Sequence, residues 1–259
     1  MANWSDNYYY QRLSADARRT YEALLGGWLR MDERISLRGI PNIGLEALED
    51  VALRASYDHP EMFWPNYYAF EYMQEVPIFF ANASPAFCRF NYFFDPQTKA
   101  RLQADAQNWR LQRYAQIPSV FRSDDHARLW LLYDYLARQV TYEDRGISHS
   151  HTIVGCFLPK NFVAVCEGIA KGFKYLCDGL GLPCIVVGGD LTQAPPAPSG
   201  AHCWNIVSCR GQYRHLDVTA ELMPAKQTGK ATYEGFLKTD AQMRAAGYHW
   251  ASDRVPACL

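Results

Sequence analysis

A cysteine stands at the predicted start of a buried helix, a position that favours thiol chemistry. Apolar residues at positions 169, 173, 176 and 177 form one stripe of a helix that begins directly after Cys166. Unpaired N–H groups and the positive end of the helix dipole stabilise a thiolate there and lower the thiol pKa from about 8.5. The same N–H groups could receive a developing oxyanion. By itself, however, such a position more often holds a cysteine that is only a small buried hydrophobe.

A histidine and an aspartate lie on two consecutive predicted strands, at residues 202–207 and 212–218. A four-residue turn between the strands places His202 directly opposite Asp217. A two-residue turn at Arg210 and Gly211 makes them diagonal neighbours on the same face. With either turn, Asp217 can orient the imidazole and leave its other ring nitrogen for a nucleophile. A surface ion pair between the two strands is the alternative interpretation.

Cys166, His202 and Asp217 follow one another within about 50 residues. They supply the nucleophile, the base and the orienting carboxylate that thiol acyl transfer requires. Asn161, shortly before the nucleophile, is a candidate for a second oxyanion donor. Trp204 shares the face of His202, where it could contact substrate and wall the imidazole off from water, although packing in the core is an equal alternative.

Four ordered segments resemble the transglutaminase-like superfamily, a branch of the papain-like thiol enzymes. The family pattern is a Cys-x-Gly-x-Ala helix start, a Gly-ended strand, a His-x-Trp-Asn strand and a Leu-Asp-x-Thr strand. The corresponding segments here are Val165-Cys166-Glu167-Gly168-Ile169-Ala170, Leu180-Gly181-Leu182-Pro183-Cys184-Ile185-Val186-Val187-Gly188-Gly189, Ala201-His202-Cys203-Trp204-Asn205-Ile206-Val207 and Leu216-Asp217-Val218-Thr219. The resemblance covers residues from about 125 to 220. It implies Cys166 as nucleophile, His202 as base and Asp217 as orienting residue.

Two features depart from the family pattern. The family often has a small residue in place of Cys203, which alternates to the face opposite His202 and is expected to be buried against the sheet. Residues 190–200 are rich in proline and are expected to form one wall of the substrate cleft. The Arg-Gly-Gly that precedes the cysteine of arylamine acetyltransferases is absent, and so are the paired Cys-x-x-Cys zinc sites of the superfamily's peptide N-glycanases.

The pattern along the chain predicts an α+β protein with two regions. Residues 1–120 are expected to be mainly helical with a few strands, like the helical leader of some bacterial members of the superfamily. Ser14 caps its first helix, and aromatic residues over 67–94 indicate two or three strands. Residues 121–259 are expected to form the papain-like, transglutaminase-like core, in which the nucleophile helix packs on an antiparallel sheet. The boundary is placed near residue 120, before a helix cap at Ser123-Asp124-Asp125.

The composition limits the partners and the location. Lys and Arg number 26 against 27 acidic residues in 259, so neither nucleic acid nor a membrane is an expected partner. The chain has neither an apolar run of about 18 residues nor a basic leader before an apolar segment, and a cytoplasmic location with reduced thiols is therefore expected. The eight cysteines include no Cys-x-x-Cys pair, and we expect no metal and no cofactor.

These features predict cysteine-dependent acyl transfer or hydrolysis at an amide, through a thioester. The expected substrate is a peptide, a protein or a small amide, and the acyl acceptor is an amine or water. A catalytically inactive peptide-binding module with the same cleft is the alternative.

Overall fold

The computed structural model describes residues 5–40, 44–73, 87–143, 149–158, 162–192, 200–222 and 233–259. The chain divides into two units, Asp6–Leu102 and a second unit that runs from Gln103 to Leu259. This division falls inside a helix, whereas the sequence places the boundary near residue 120. Among the described segments, no helix is both long enough and apolar enough to cross a membrane.

The first unit combines two helices with a three-stranded antiparallel sheet. The elements are α1 (Ala15–Arg30), β1 (Arg34–Ser36), α2 (Leu45–Asp58), β2 (Pro65–Met73) and β3 (Phe87–Tyr92). The strands pair in the order β1-β3-β2. The side chain of Ser14 caps α1 by accepting a hydrogen bond from the backbone N–H of Ala17 at 3.3 Å.

A buried carboxylate holds the start of this unit. Asp58, the last residue of α2, accepts hydrogen bonds from the backbone N–H groups of Tyr9, at 3.1 Å, and Tyr10, at 3.0 Å. The hydroxyl of Tyr21 donates a further bond to Asp58 at 3.0 Å. Because a buried carboxylate needs several donors, this network explains why a charged residue ends the apolar face of α2.

The second unit contains the larger part of α3 and the elements that position the predicted triad. They are α3 (Pro96–Ala115), α4 (Asp125–Gln139), β4 (Thr141–Tyr142), β5 (Val163–Ala164), α5 (Cys166–Gly179), β6 (Cys184–Leu191), β7 (Gly200–Cys209), β8 (Gln212–Leu216), α6 (Asp240–Ala245) and β9 (Tyr248–His249). Four strands form an antiparallel sheet in the order β8-β7-β6-β9, and β4 pairs with β5 in parallel. This arrangement confirms the α+β class.

The β7–β8 hairpin has the shorter of the two predicted turns. Cys209 pairs with Gln212, so the loop consists of Arg210 and Gly211, whose φ angles are 52° and 76°. Two consecutive positive φ angles are typical of the type I′ turn that matches the twist of a hairpin. With this register, Asn205 pairs with Leu216, and Asp217 follows the last residue of β8 as a diagonal neighbour of His202.

The nucleophile helix packs on one face of the four-stranded sheet. Every residue from Cys166 to Cys177 is buried. Asn205 on β7 donates hydrogen bonds to the carbonyl oxygen of Ala170 on α5, at 2.9 Å, and to that of Ile185 on β6, at 3.1 Å. One amide thereby ties α5 to two strands, and the predicted packing of this helix on an antiparallel sheet is confirmed.

Candidate active site

Cys166 is the first residue of α5 and is 9% exposed. The preceding Val165 is extended, with φ −93° and ψ 174°, so the helix cannot begin earlier. The first N–H groups of a helix have no partner inside it, and they surround the sulfur with the positive end of the dipole. The sequence pattern therefore placed the helix start correctly.

The start of α5 is held by the segment just before it. The N–H of Val165 donates to the carbonyl oxygen of Ser150 at 3.1 Å. A Cβ at Gly168 would lie 2.2 Å from that same oxygen, so only glycine allows this close approach. Glu167, directly after the nucleophile, is buried and accepts from Lys171 Nζ at 2.8 Å, while its other oxygen lies 3.1 Å from His151 Nδ1. These contacts fix the turn that carries Cys166.

The structure brings Cys166, His202 and Asp217 together. His202 Nε2 lies 2.8 Å from Asp217 Oδ2, and both side chains are buried. Nδ1 is therefore the nitrogen left for the nucleophile, and the imidazole of His202 hydrogen-bonds with the thiol of Cys166. This is the order of contacts that a nucleophile, a base and an orienting carboxylate require.

The three side chains shift one another's protonation equilibria. The pKa of Cys166 lies well below its ordinary value, because Cys203 hydrogen-bonds to its sulfur and His202 adds a hydrogen bond and positive charge, against the opposing effect of burial. Burial alone would lower the pKa of His202, but the charge and hydrogen bond of Asp217, together with Cys166, raise it. Burial would raise the pKa of Asp217, yet His202 and Tyr248 keep it below its ordinary value. The favoured state is a thiolate beside an imidazolium.

Asp217 is held by groups that the sequence reasoning missed. The hydroxyl of Tyr248 donates to Asp217 Oδ2 at 2.6 Å, and the backbone N–H of Thr219 donates to Oδ1 at 2.8 Å. The Tyr248 ring also meets the His202 ring edge-on, with centroids 5.6 Å apart. Tyr248 belongs to the two-residue strand β9, which is too short to show any periodicity, so no sequence pattern indicated it.

Trp204 forms a wall beside the imidazole of His202. Its ring is nearly parallel to that of His202, at a centroid distance of 6.0 Å and an angle of 20°. The indole is only 1% exposed, and its N–H donates to His215 Nδ1 at 2.9 Å. This N–H therefore already has an acceptor inside the protein, and a contact between Trp204 and substrate stays a prediction. Trp204 is both packed in the core and placed beside the His202 ring, so its surroundings agree with both alternatives, core packing and shielding of the imidazole from water.

Two other predicted site features need separate mention. Cys203 does alternate to the face opposite His202, but it is half-buried rather than buried, because its thiol reaches the nucleophile at the first turn of α5. Asn161, the candidate second oxyanion donor, lies outside the described residues. Residues 193–199 of the proline-rich loop lie outside them as well.

A cluster of potential metal ligands lies behind Trp204. Among the described residues, His215, Asp240 and Cys258 have ligand atoms within 4.8 Å of one another. His215 Nδ1 accepts the indole hydrogen, so its Nε2 carries the proton and donates to Asp240 Oδ1 at 2.7 Å. A metal-binding imidazole normally donates its second N–H to a neighbour, whereas this one accepts at Nδ1. The cluster is therefore a hydrogen-bond network that holds Trp204.

Comparison with known proteins gave matches only among solved structures. No family model matches the chain, and no curated protein matches it. One similar structure is a transglutaminase, with 15% identity and a TM-score of 0.38 over 49% of this chain and 33% of that one. A second, from Cytophaga hutchinsonii and provisionally assigned as a cysteine protease, has 13% identity and a TM-score of 0.34 over 58% of this chain and 61% of that one.

The third similar structure is the periplasmic domain of TgpA from Pseudomonas aeruginosa, bound to ethylmercury. It has 17% identity and a TM-score of 0.30 over 56% of this chain and 59% of that one. The chain thus covers between 33% and 61% of the length of the three proteins. The first two descriptions name a transglutaminase and a provisionally assigned cysteine protease.

Proposed function

We propose that the protein is a thiol enzyme that cleaves or exchanges an amide bond through a thioester on Cys166. The observation that carries this proposal is the chain of contacts from the Cys166 sulfur to the imidazole of His202 and on to the carboxylate of Asp217. A merely structural cysteine in a helix has a raised pKa, as burial gives Cys156. Cys166 is shifted in the opposite direction, as a nucleophile requires.

The reaction follows from the geometry. The Cys166 thiolate attacks the carbonyl carbon of the amide, and the negative charge moves to the carbonyl oxygen, near the backbone N–H groups at the start of α5. The imidazolium of His202 then gives its proton to the leaving nitrogen, the C–N bond breaks, and a thioester remains. His202, now neutral, takes a proton from the incoming acceptor as that group attacks the thioester. Asp217 stays ionised and keeps the ring oriented throughout.

The acceptor decides whether the enzyme is a transferase or a hydrolase. Water yields a carboxylic acid, and a primary amine yields a new amide. Trp204 and Tyr248 cover His202 with aromatic surface, which favours an organic amine by keeping water away from the thioester. The proposed substrate is a peptide, a protein or a small amide, the reaction takes place in the cytoplasm, and the triad chemistry needs neither a metal nor an organic cofactor.

The test uses a glutamine-containing peptide with and without a primary amine, in the presence of a chelator. Ammonia release with incorporation of the amine supports a transferase, ammonia release without incorporation supports a hydrolase, and cleavage of the peptide chain supports a protease. Cys166→Ala should abolish the activity, while Cys209→Ser, a change at the far end of β7, should leave it unchanged. Binding without turnover across a panel of peptides and small amides would overturn the proposal in favour of an inactive binding module.

A further inference from the structure

Cys203 faces the nucleophile across the contact between β7 and α5. Asn205, two residues further along the same face of β7, donates to the carbonyl oxygen of Ala170 at 2.9 Å. Moving from Asn205 to Cys203 covers about 6.8 Å of strand, and moving from Ala170 to Cys166 covers about 6 Å of helix. The displacement along β7 and the displacement along α5 run in the same direction and have nearly the same length, so the side chain of Cys203 lies next to Cys166.

Side-chain contacts agree with this placement. The thiol of Cys203 and the backbone of the same residue both form hydrogen bonds with Cys166. Cys203 also directly follows His202, whose imidazole reaches the nucleophile from the other face of the strand. The Cys166 sulfur is thus approached by two side chains from consecutive residues, an imidazole and a thiol.

Two neighbouring thiols do not ionise together, because the first negative charge opposes the second. The imidazolium of His202 hydrogen-bonds with Cys166, whereas the Lys171 ammonium, which also interacts with Cys203, is paired with Glu167 at 2.8 Å. Cys166 therefore carries the charge and Cys203 keeps its proton. An S–H group can donate a hydrogen bond to a thiolate. Cys203 is half-buried, whereas Cys166 is buried.

We infer that Cys203 is a second functional thiol, which donates a hydrogen bond to the Cys166 thiolate and holds it ready for attack. This inference rests on the proposed function, because it assigns Cys203 a role in activating the same nucleophile. The position is also one of the two where the chain departs from the family pattern, which often has a small residue there. Cys203 therefore adds a donor that a smaller side chain would not supply.

The experiment measures the alkylation rate of Cys166 by iodoacetamide from pH 4 to pH 10, with a phosphine reductant present so that no disulfide forms. Peptide mass spectrometry follows Cys166 separately from the other cysteines. In Cys203→Ala, the midpoint of the rate profile should move upward by about one pH unit, a tenfold fall in the acid dissociation constant of Cys166. Tenfold is the lower end of what a hydrogen bond to a charged group contributes, because S–H is a weak donor. The plateau rate at high pH should rise about threefold, since a thiolate of higher pKa is the stronger nucleophile.

The conservative variant separates this role from simple packing. Cys203→Ser keeps a donor of similar size and should return the midpoint most of the way to its wild-type value, whereas a packing defect would lower the rate at every pH. If Cys203→Ala leaves the pH profile unchanged while the wild-type protein shows an acidic Cys166, the inference about Cys203 is wrong and the proposed function stands. If wild-type Cys166 reacts like an ordinary thiol, the proposed function itself fails.

A second variant keeps the test valid if Cys203→Ala does not fold. In Cys166→Ala, Cys203 no longer has a thiolate beside it, and the His202 imidazolium remains nearby. Alkylation of Cys203 at pH 8 should then be faster than in the wild-type protein whose Cys166 is still ionised. An unchanged rate for Cys203 would show that the two sulfur atoms do not interact, and would overturn the inference.

Discussion

Tyr248 and His202 share one oxygen of Asp217. The tyrosine hydroxyl donates to Oδ2 at 2.6 Å, and His202 Nε2 lies 2.8 Å from the same atom. The other oxygen accepts a hydrogen bond from the backbone N–H of Thr219, so both oxygens of the buried carboxylate are bonded to donors in fixed positions. The orientation of the His202 imidazole therefore depends on strand β9, which lies 31 residues after Asp217.

Tyr248→Phe should weaken the hold on the Asp217 carboxylate, and so on the orientation of His202, while Cys166, His202 and Asp217 all remain. Loss of one hydrogen bond to a charged group should lower kcat/KM about tenfold. The carboxylate becomes more basic without the hydroxyl, so the pKa of His202 should rise further and the alkaline limb of the pH profile should move upward. The matched control is Tyr233→Phe, which changes an exposed ring stacked on Trp130. An identical pH profile for Tyr248→Phe and the wild-type protein would show that the hydroxyl has no influence on His202.

The pH dependence of alkylation should reveal the ion pair. The alkylation rate of Cys166 should rise with pH through a pKa well below that of an ordinary thiol. The reaction should already proceed at pH 6, where less than about 1% of an ordinary thiol is ionised. The imidazolium should lose its proton only above the ordinary pKa of 6.5. His202→Ala removes the positive charge, so the thiol pKa should rise and the rate at pH 6 should fall. A rate at pH 6 that is independent of His202 would contradict the ion pair.

Asp217→Asn should preserve the size of the side chain and remove its charge. Without the carboxylate, the pKa of His202 should fall and the ring should lose its preferred tautomer, with a loss of up to about 10⁴-fold in kcat, the size of the loss for the same change in a serine triad. The measurement is kcat with the best substrate from the peptide panel. Asp253→Asn, at an exposed position in the last short helix, serves as control. Full activity in Asp217→Asn would mean that the carboxylate does not orient the base.

Two replacements of His215 should behave differently. Asn places its oxygen near the position of Nδ1 and can still accept the indole hydrogen of Trp204. The Gln side chain is one methylene longer, so its oxygen lies beyond that position and cannot accept this hydrogen. A buried N–H without an acceptor costs about 1 to 3 kcal/mol, so His215→Gln should melt several degrees below His215→Asn. Trp204 stacks on His202, so we also expect the lower kcat in the Gln variant. Equal melting temperatures would show that the Trp204–His215 bond contributes little.

The sequence was sufficient for the parts of the site that depend on local pattern. The position of Cys166 follows from an apolar stripe with a sharp start. The pairing of His202 with Asp217 follows because an even number of loop residues, here two, puts both side chains on the same face of the hairpin. The α+β class and the packing of the nucleophile helix on an antiparallel sheet were predicted in the same way.

The parts that could not be predicted depend on contacts between distant segments. Tyr248 reaches Asp217 across 31 residues from a strand of only two residues. The Trp204 indole donates a hydrogen bond to His215. This bond depends on how the side chains are oriented in the core, which alternation along a strand does not predict. Alternation along β7 predicts the face on which Cys203 lies. Its partial exposure depends on contacts with other segments, which the pattern of one strand does not contain.

The most direct test of the account is the identity of the fastest-reacting cysteine. The protein is treated with a limiting amount of iodoacetamide at pH 6, and the modification of each of the eight cysteines is followed by peptide mass spectrometry. Cys166 should be modified first, well ahead of thiols whose pKa is raised by burial, such as Cys88 and Cys156. If Cys166 reacts no faster than the other seven, it is not an activated nucleophile, and the proposed thiol chemistry is contradicted.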